Sequence, residues 1–395
     1  METIQRQLRL MLLPFLLTYA GGNGFCFAGT SVVAWGAGTV INTGNLYDYG
    51  QSIVPASMTN TVQIAGGGYH SLALLANGTL QGWGDGTLGE TAFFPANASN
   101  YLAIACGFYH SLALRTNGTV AAAGFNGSGQ TSVPSGLSNV VAVACGFYHC
   151  LALKADGTVA AWGGTNVVYG QGAVPSGLSN VVVIAAGGYH NLVLKSDGTL
   201  FAWGANDSGQ TNIPAGLSNV VAVAAGAEHN VVLKADRTLL AWGANEYGQT
   251  NIPAGLSNVV AIAVGGWHTL ALKADGTVVA WGAGAGSNIN DHHQSSVPSG
   301  LTNVVQVAAG VWHSLALVGT AAPMTHALLV NPSMGTNGFS VSVPTQNGRV
   351  YQLQFKNSLA DSAWQSLPLR AGIGGTLPLT DMATATSRFY RVLQW

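Results

Sequence analysis

The sequence predicts an all-β fold: a seven-bladed β-propeller closed by N- and C-terminal strands, followed by a small C-terminal β-sandwich-like module. The first observation is a composition rich in glycine, 54 of 395 residues, and poor in charged residues, 7%. The second is a histidine-containing phrase that returns seven times at steps of 39 to 45 residues. The third is a half-repeat at each end of the repeated region. Short strands with tight turns suit that composition, and repeats of about 40 residues are typical of propeller blades.

Three phrases recur in the same order. The phrase G-x-x-H-x-L/V-x-L places its histidine at His70, His110, His149, His190, His229, His268 and His313. The phrase A-W-G places tryptophan at Trp35, Trp83, Trp162, Trp203, Trp242 and Trp281, with Ala123 in the seventh position. The phrase G-Q-T-x-x-P is clearest at residues 129–134, 209–214 and 248–253. One structural unit is therefore repeated along the chain.

The sequence of each repeat unit predicts four short strands. In one repeat, the continuous apolar run Val220–Ala225 predicts a first strand buried on both faces, and a glycine turn leads into a second strand, His229–Lys234. An Asp-Gly or Asn-Gly pair then makes a hairpin to the third strand, which ends at the tryptophan. The Gln-Thr-x-x-Pro segment predicts an outer fourth strand, where proline is tolerated because an edge strand can lack one donor.

The half-repeats predict how the ring is completed. Ser31–Trp35 and Gly50–Val54 supply third and fourth strands near the start of the chain, and Val304–Ala309 and His313–Val318 supply first and second strands after the sixth full unit. Joined together, these halves make the seventh blade.

The sequence divides into three segments. Residues 1–28 predict an export signal, because Arg6 and Arg9 precede an apolar run too short to span a bilayer, with cleavage after Ala20 or Ala28. The alternative is a disordered or packed N-terminal tail. The propeller covers residues 29–320, and residues 324–395 alternate apolar and polar positions as a small β module. We expect a secreted or cell-surface protein without a membrane span.

Charge and motifs argue against several functions. With 13 Lys and Arg against 14 Asp and Glu, no basic field favours nucleic acid. Nucleotide motifs and nucleophile elbows are absent, so we expect no cofactor and no enzymatic activity. Glu228 and Glu246 are the one acidic pair worth testing for catalysis.

No metal site is expected. The repeat histidines are spread one per blade, which predicts hydrogen bonds to nearby backbone rather than convergence on an ion. The cluster Asp291-His292-His293 is a slightly better metal candidate, but adjacent side chains diverge. The four cysteines match no zinc spacing. Cys106 and Cys145 occupy equivalent repeat positions, where a disulfide and two buried thiols are both possible.

One loop face carries the candidate binding residues. The residue before each repeat histidine is aromatic in six of seven units: Tyr69, Tyr109, Tyr148, Tyr189, Trp267 and Trp312, with Glu228 as the exception. Two long loops, from Trp35 to Pro55 and from Trp281 to Pro298, fall on neighbouring blades six and seven and add Tyr47, Asp48, Tyr49, His292 and His293. Tyr247, in the loop of blade five, completes the set. Such aromatics are typical interface anchors, and the alternative is that they only fill space between blades.

The three phrases resemble the regulator-of-chromosome-condensation repeat family over residues 31–318. In repeat style the chain is most similar to the secreted bacterial branch typified by β-lactamase inhibitory protein II. That resemblance implies a propeller whose loop aromatics grip a partner protein, an enzyme in the case of an inhibitor. The nuclear exchange factors of the family are a poorer match for a nearly neutral chain with an export signal.

The sequence thus predicts a secreted, monomeric, non-catalytic propeller that binds a protein through its aromatic loop face. Carbohydrate binding on the same face is the alternative. A polysaccharide-acting enzyme centred on Glu228 comes third.

Overall fold

The structure is a computed structural model that describes residues 29–39, 47–56, 58–91, 98–165, 169–284, 291–319, 330–335, 338–345, 349–358, 361–373, 375–382 and 388–394. The expected export signal lies outside these residues. All regular elements of the described chain are β-strands. Within that part, no helical segment has the length and apolar character that a membrane crossing requires.

Seven three-stranded antiparallel sheets form the repeated region. Blades 1 to 6 follow chain order, with three strands each. Blade 1 contains β2 (Thr61–Gly66), β3 (His70–Leu75) and β4 (Leu80–Gly84); blade 2 contains β5 (Tyr101–Cys106), β6 (His110–Arg115) and β7 (Val120–Gly124); blade 3 contains β8 (Val140–Cys145), β9 (His149–Lys154) and β10 (Val159–Gly163). Blade 4 contains β11 (Val181–Ala186), β12 (His190–Lys195) and β13 (Leu200–Gly204); blade 5 contains β14 (Val220–Ala225), β15 (His229–Lys234) and β16 (Leu239–Gly243); blade 6 contains β17 (Val259–Val264), β18 (His268–Lys273) and β19 (Val278–Gly282). Successive sheets pack through their apolar side chains.

The seventh sheet joins strands from both ends of the repeated region. Strands β20 (Val304–Ala309) and β21 (His313–Val318) pair with each other, and β1 (Ser31–Gly36) pairs with β21 from Ser31↔Val318 to Gly36↔His313. Blade 7 therefore takes its third strand from the other end of the repeated region.

The predicted burial of the first strand is wrong in detail. The second strand of each blade is the one buried on both faces, as Leu192, Val193 and Leu194 of β12 show with no exposed surface. The first strand is only partly buried, because its end lines a small cavity on the propeller axis. The innermost strand of a ring faces this cavity, whereas the second strand has a neighbouring blade on each side.

The predicted fourth strand does not form in the described units. The Gln-Thr-x-x-Pro segment is a turn, held by the buried glutamine rather than by strand pairing. The carbonyl of Gln130 accepts hydrogen bonds from Trp162 Nε1, 2.9 Å, and from the thiol of Cys150, 3.2 Å, both in the next blade. Its side-chain Oε1 accepts from the backbone N–H of Ser128, 2.8 Å. These bonds hold the segment in place without a sheet ladder.

The repeat histidines have a structural role, as predicted, but their partners are not nearby backbone. Each imidazole is fully buried, and its Nε2 contacts the polar side chain that follows the histidine of the next blade. The seven junctions are His70–Ser111, His110–Cys150, His149–Asn191, His190–Asn230, His229–Thr269, His268–Ser314 and His313–Ser71, at 2.8 to 3.3 Å. A hydrogen bond of a repeat histidine therefore links every pair of neighbouring blades, including blades 7 and 1.

The C-terminal module consists of two small sheets. One contains β22 (Val330–Gly335), β23 (Gly338–Pro344) and β27 (Thr376–Asp381), and the other contains β24 (Val350–Lys356), β25 (Gln365–Ser366), β26 (Arg370–Ala371) and β28 (Phe389–Gln394). They share a core that includes Val341, Tyr351 and Leu379. The backbone N–H of Leu369 donates to the carbonyl of Ser196, in the hairpin of blade 4. The module thus contacts the propeller at the end opposite to the histidine loops.

Candidate functional site

The candidate site is the loop face, which we define as the end of the propeller carrying two sets of loops. One set joins the first and second strands of each blade, and the other follows the third strands. Antiparallel pairing brings both sets to the same end, because alternate connections lie at alternate ends of the strands. The hairpins between second and third strands form the other end, the hairpin face.

Aromatic rings of blades 7, 1 and 2 form a connected group on the loop face. Tyr69 has its ring centroid 4.7 Å from that of Trp312, 5.0 Å from that of Tyr49 and 5.6 Å from that of Tyr109. Tyr47 reaches Trp312 at 5.2 Å and His292 at 4.8 Å. The structure therefore brings the two long loops together, as the sequence predicts.

The group continues around the ring. Tyr148 stacks on Tyr189 with centroids 6.1 Å apart, and Trp267 lies 5.9 Å from Trp312 and 6.4 Å from Tyr247. Aromatic pairs at such distances add attraction beyond the area they bury. The predicted aromatic positions therefore belong to a shared surface layer rather than to separate blades.

Three of the predicted binding residues, Trp312, Asp48 and His293, have structural roles within the loop face. Trp312 is only 5% exposed, since it lies beneath Tyr47, Tyr69 and Trp267. Asp48 accepts the backbone N–H of Gly38, 2.7 Å, which fastens its loop. His293 is exposed, has a φ of 62°, and its carbonyl accepts from the N–H of Ser296 in a turn. For Trp312 the packing alternative is the better description.

Sequence reasoning missed four aromatic residues of this surface. Phe108 contacts five rings, including Tyr69 at 5.5 Å and Trp312 at 5.4 Å, and Phe147 lies 5.6 Å from Tyr189. Phe125 lies 6.4 Å from Tyr109, and Tyr169, 41% exposed, lies 5.8 Å from Tyr189. The signal for the first two was the phrase G-F-Y-H, in which phenylalanine stands where most repeats have glycine or alanine.

Equivalent clamps hold the two long loops. Asp291 accepts the N–H of Gly284, 2.6 Å, just as Asp48 accepts that of Gly38. Gln51 and Gln294 accept the N–H groups of Tyr49 and His292 at 2.9 and 2.6 Å. Asp291 therefore serves its loop, and the Asp291-His292-His293 triplet is not brought together as ligands. Residues 40–46 and 285–290 of these loops lie outside the described part.

Charge is divided between the two faces of the propeller. The acidic residues of the loop-face segments are Asp48, Asp85, Glu90, Asp207, Glu228, Glu246 and Asp291, and these segments contain no lysine or arginine. All basic residues of the repeated region lie at the hairpin end: Arg115, Lys154, Lys195, Lys234, Arg237 and Lys273. A nearly neutral total therefore hides an acidic loop face.

The two candidate catalytic carboxylates do not form a cleft. Glu228 is exposed, and its Oε2 accepts the hydroxyl of Ser208, 2.8 Å. Glu246 is also exposed. General acid–base work needs a carboxylate whose environment is controlled, and these two side chains face water.

Glu90 is an exception among the buried loop clamps. It is fully buried at the position where the other units have glutamine, and its Oε2 accepts the N–H of Leu88, 3.0 Å. Burial, reinforced by the carboxylate of Asp85, raises the pKa of Glu90 to about 7. Because the folded-state pKa is raised, the cost of ionising Glu90 is absent below pH 4.5 and grows as pH rises towards 7.

We therefore expect Glu90→Gln to stabilise the protein most at alkaline pH. The gain in unfolding free energy should be roughly 3 kcal/mol at pH 8 and only about 1 kcal/mol at pH 5.5, because 1.36 kcal/mol corresponds to one pKa unit. Urea unfolding of both proteins between these pH values measures the difference. A gain that does not change with pH would contradict an ionisable, buried Glu90.

The cysteines described are free thiols, so Cys106 and Cys145 do not form the disulfide that the sequence left open. Cys145 and Cys150 lie opposite each other in the β8–β9 pair. Together with His110 of blade 2 they place three ligand atoms within 4.8 Å of one another, the one such His/Cys/acid group in the described chain. Their spacing in sequence, 35 and 5 residues, gave no zinc pattern, because the group forms across two blades.

Comparison with known proteins agrees with this fold. The family model described as "Regulator of chromosome condensation (RCC1) repeat" matches residues 61–90, 102–130, 140–171, 181–210, 220–249 and 259–288. No curated protein sequence matches the chain.

Solved structures are similar at low identity. Prp20p from Saccharomyces cerevisiae, described with its binding properties to Gsp1p and histones, is 18% identical over 75% of this chain and 94% of that one, with a TM-score of 0.60. Yeast RCC1 (Prp20), in a complex with Kap60, is 21% identical over 78% of this chain and 95% of that one, with a TM-score of 0.60. Human WBSCR16 is 19% identical over 73% of this chain and 100% of that one, with a TM-score of 0.55.

Fold and surface together define a repeat β-propeller with one aromatic, acidic loop face. The six matched segments coincide with blades 1 to 6, and the seventh sheet repeats the same histidine phrase. The chain is an RCC1-repeat β-propeller.

Proposed function

We propose that this protein is a secreted, non-catalytic propeller that binds a protein partner through the loop face. The observation that carries the proposal is the connected layer of aromatic rings, half-buried rather than fully covered, across blades 1 to 7. A layer of this kind supplies apolar contact area on a rigid scaffold, which is the usual composition of an interface core. The C-terminal module contacts the hairpin end and so does not occupy this layer.

Charge indicates the kind of partner. Asp207, Glu228 and Glu246 are exposed on blades 4 and 5. Asp207 forms a hydrogen bond with the exposed Tyr169 of blade 3, and Glu228 lies near the same side chain. No basic residue of the repeated region lies at this end. We therefore propose a partner surface that combines apolar side chains with lysine or arginine, since complementary charge speeds association and selects against wrong partners.

Protein binding is favoured over carbohydrate binding by the state of the loop amides. The side chain of Asn206 accepts the N–H of Thr211 and donates to Asn212, and Asn245 makes the same bonds with Thr250 and Asn251. Amides that would otherwise hold sugar hydroxyls are thus used within their own loops. Many rings also meet edge to face, which leaves fewer open flat faces for stacking on sugars.

Solved neighbours of the fold are described with protein partners, namely Gsp1p, histones and Kap60. This supports the use of such a propeller as a protein-binding surface, although those partners belong to those proteins. Enzyme inhibition is the narrower proposal, and it comes from the resemblance of the repeat phrases alone.

The test uses the full chain as bait on the proteins secreted by the source organism, with a glycan array in parallel. Tyr148→Ala/Tyr189→Ala should weaken binding of the captured partner at least about 30-fold, because central aromatic anchors each contribute 2 kcal/mol or more. Lys195→Ala/Asp197→Ala, on the hairpin face, is the matched control and should bind as the parent does. Asp207→Asn/Glu228→Gln should slow association and reduce its salt dependence.

Two results would reject the proposal. One is a partner that the folded Tyr148→Ala/Tyr189→Ala protein binds as tightly as the parent. The other is glycan binding without any captured protein, which would favour the carbohydrate alternative.

A further inference from the structure

The junction between blades 2 and 3 differs chemically from the other six. Where the other junctions place serine, asparagine or threonine opposite the histidine, this one places Cys150, whose Sγ lies 3.1 Å from His110 Nε2. The position of Cys145 at the end of the first strand holds alanine in blades 4, 5 and 7. Two thiols and an imidazole therefore meet at one junction.

The geometry of this group suits a metal ion. The three ligand atoms lie within 4.8 Å of one another, and His110 and Cys150 are completely buried on rigid strands. Thiolate and imidazole ligands select thiophilic ions such as Zn²⁺ and Cu⁺ over Mg²⁺ or Ca²⁺. We propose that His110, Cys145 and Cys150 bind one thiophilic metal ion, which joins β6 of blade 2 to β8 and β9 of blade 3.

An entry path lies on the propeller axis. Cys145 lines a cavity of about 60 Å³ whose wall is formed largely by the glycines that precede the repeat histidines. Cys106 lines the same cavity, one blade away. Of the three proposed ligands only Cys145 lines this cavity, and it is directly opposite Cys150 across the β8–β9 pair.

Metal binding requires the two thiols and Nε2 of the imidazole to lose their protons. Burial raises the pKa of Cys145 well above its ordinary value, so without an ion the thiol is protonated. Binding releases the thiol protons of Cys145 and Cys150 to solvent, and the ion's charge replaces them. Nε2 of His110 binds the ion, so the imidazole proton moves from Nε2 to Nδ1. Nδ1 has no hydrogen-bond partner in the described structure, so the free energy of metal binding must exceed the cost of an N–H without an acceptor.

Titration of the reduced, metal-free full chain tests the site. Co²⁺, a spectroscopic substitute for Zn²⁺, should give thiolate-to-metal absorption that saturates at one ion per chain and is displaced by Zn²⁺. Cu⁺, added without oxygen, is the second arm. Either ion should raise the melting temperature, because the assembled site of the folded state binds it more tightly than the separated cysteines and histidine of the unfolded chain do.

The repeats themselves supply conservative variants. Cys150→Ser installs the residue found at the same place in blade 2, Ser111, and Cys145→Ala installs the alanine of blade 4. Each variant should fold and bind Co²⁺ about 100-fold more weakly or not at all, since loss of an outer-shell group alone costs 10- to 100-fold. Cys106→Ala is the matched control, because Cys106 has the same repeat position but lies next to Ser111 rather than a second cysteine at its junction, and it should bind as the parent does.

Three outcomes would overturn the proposal. The first is the absence of saturable binding of both Co²⁺ and Cu⁺. The second is unchanged affinity in Cys145→Ala and Cys150→Ser. The third is a Cys145–Cys150 disulfide that is present in the purified protein, resists a phosphine reductant and leaves no thiols to bind an ion.

Discussion

Acidification should unfold this protein in a steep transition with a midpoint near pH 5. Burial lowers the pKa of His149 and His190 to about 4 and that of His70, His229, His268 and His313 to about 3, with small opposing or reinforcing effects from neighbouring side chains. In the unfolded chain each imidazole has an ordinary pKa of about 6.5. Between these values the unfolded chain binds more protons than the folded one.

Because the unfolded chain binds more protons, the folded protein loses stability as pH falls. A lowered folded-state pKa on a base makes stability fully present above pH 6.5 and lost as pH falls. Each histidine contributes a slope of about 1.4 kcal/mol per pH unit, so six give roughly 8 kcal/mol per unit below pH 5.5. A loss of that size matches the whole stability of an ordinary domain. The raised pKa of Glu90 has the opposite effect, because it stabilises the folded state as pH falls, but it involves only about one proton.

Denaturant unfolding at a series of pH values measures the number of protons taken up. We expect the number to approach six, and we expect His190→Gln to lower it by about one. The NMR signals of these six imidazoles in the folded protein should not titrate between pH 8 and 6. Uptake of two protons or fewer, or titration of any of these six native imidazoles near pH 6.5, would contradict the buried ring of histidines.

The structural cause is the set of junctions between blades. In His149 and His190 the Nε2 partner is an amide oxygen, which only accepts, so Nε2 carries the imidazole proton. Nδ1 then has no hydrogen-bond partner in any of the seven repeat histidines. A second proton would create a buried cation whose new N–H has no acceptor, which is costly.

Periodicity predicted the blades but not what joins them. The phrase G-x-x-H identified seven buried histidines. Six of them bond to a residue 40 to 46 positions later, and His313 bonds to Ser71, 242 positions earlier. The type of that partner changes from serine to cysteine, asparagine or threonine. Local sequence does not contain that pairing, because packing of one blade on the next creates it. The metal-ligand group at His110 was missed for the same reason.

The absence of the predicted fourth strand from the described units and the burial of Trp312 have a different reason. Gln-Thr-x-x-Pro has the composition of an edge strand, but Gln130 is fully buried and bonds across the junction, and side-chain bonds of this kind replace the ladder. Trp312 has the sequence context of an exposed anchor, yet Tyr47, more than 260 positions earlier, lies against it. Strand direction, by contrast, would have sufficed to predict the acidic loop face, since it assigns each charged repeat position to the loop face or to the hairpin face, and every basic one falls on the hairpin face.

A ring of close contacts also makes the glycines that precede the histidines irreplaceable. A Cβ placed on Gly187 would lie 2.3 Å from His190 Cε1 and 2.5 Å from the carbonyl oxygen of Gly226 in the next blade. The equivalent glycine of every blade has the same two neighbours, from Gly67 around to Gly310, whose own successor is Gly67. Neither neighbour can yield, because one is a buried imidazole already bonded to the next blade and the other is backbone.

We therefore expect Gly187→Ala to cost about 3 kcal/mol or more, the upper part of the range for overpacked cores. That cost should lower the melting temperature by roughly 6 °C or more in a domain of this size. Gly375→Ala is the control, because a Cβ there meets nothing within 4 Å and its φ is not positive, so its melting temperature should stay close to that of the parent. The steric demand at Gly187 comes from two blades at once, since the imidazole belongs to blade 4 and the carbonyl to blade 5. If Gly187→Ala melts within 2 °C of the parent, the blades do not approach as closely at the axis as the structure shows.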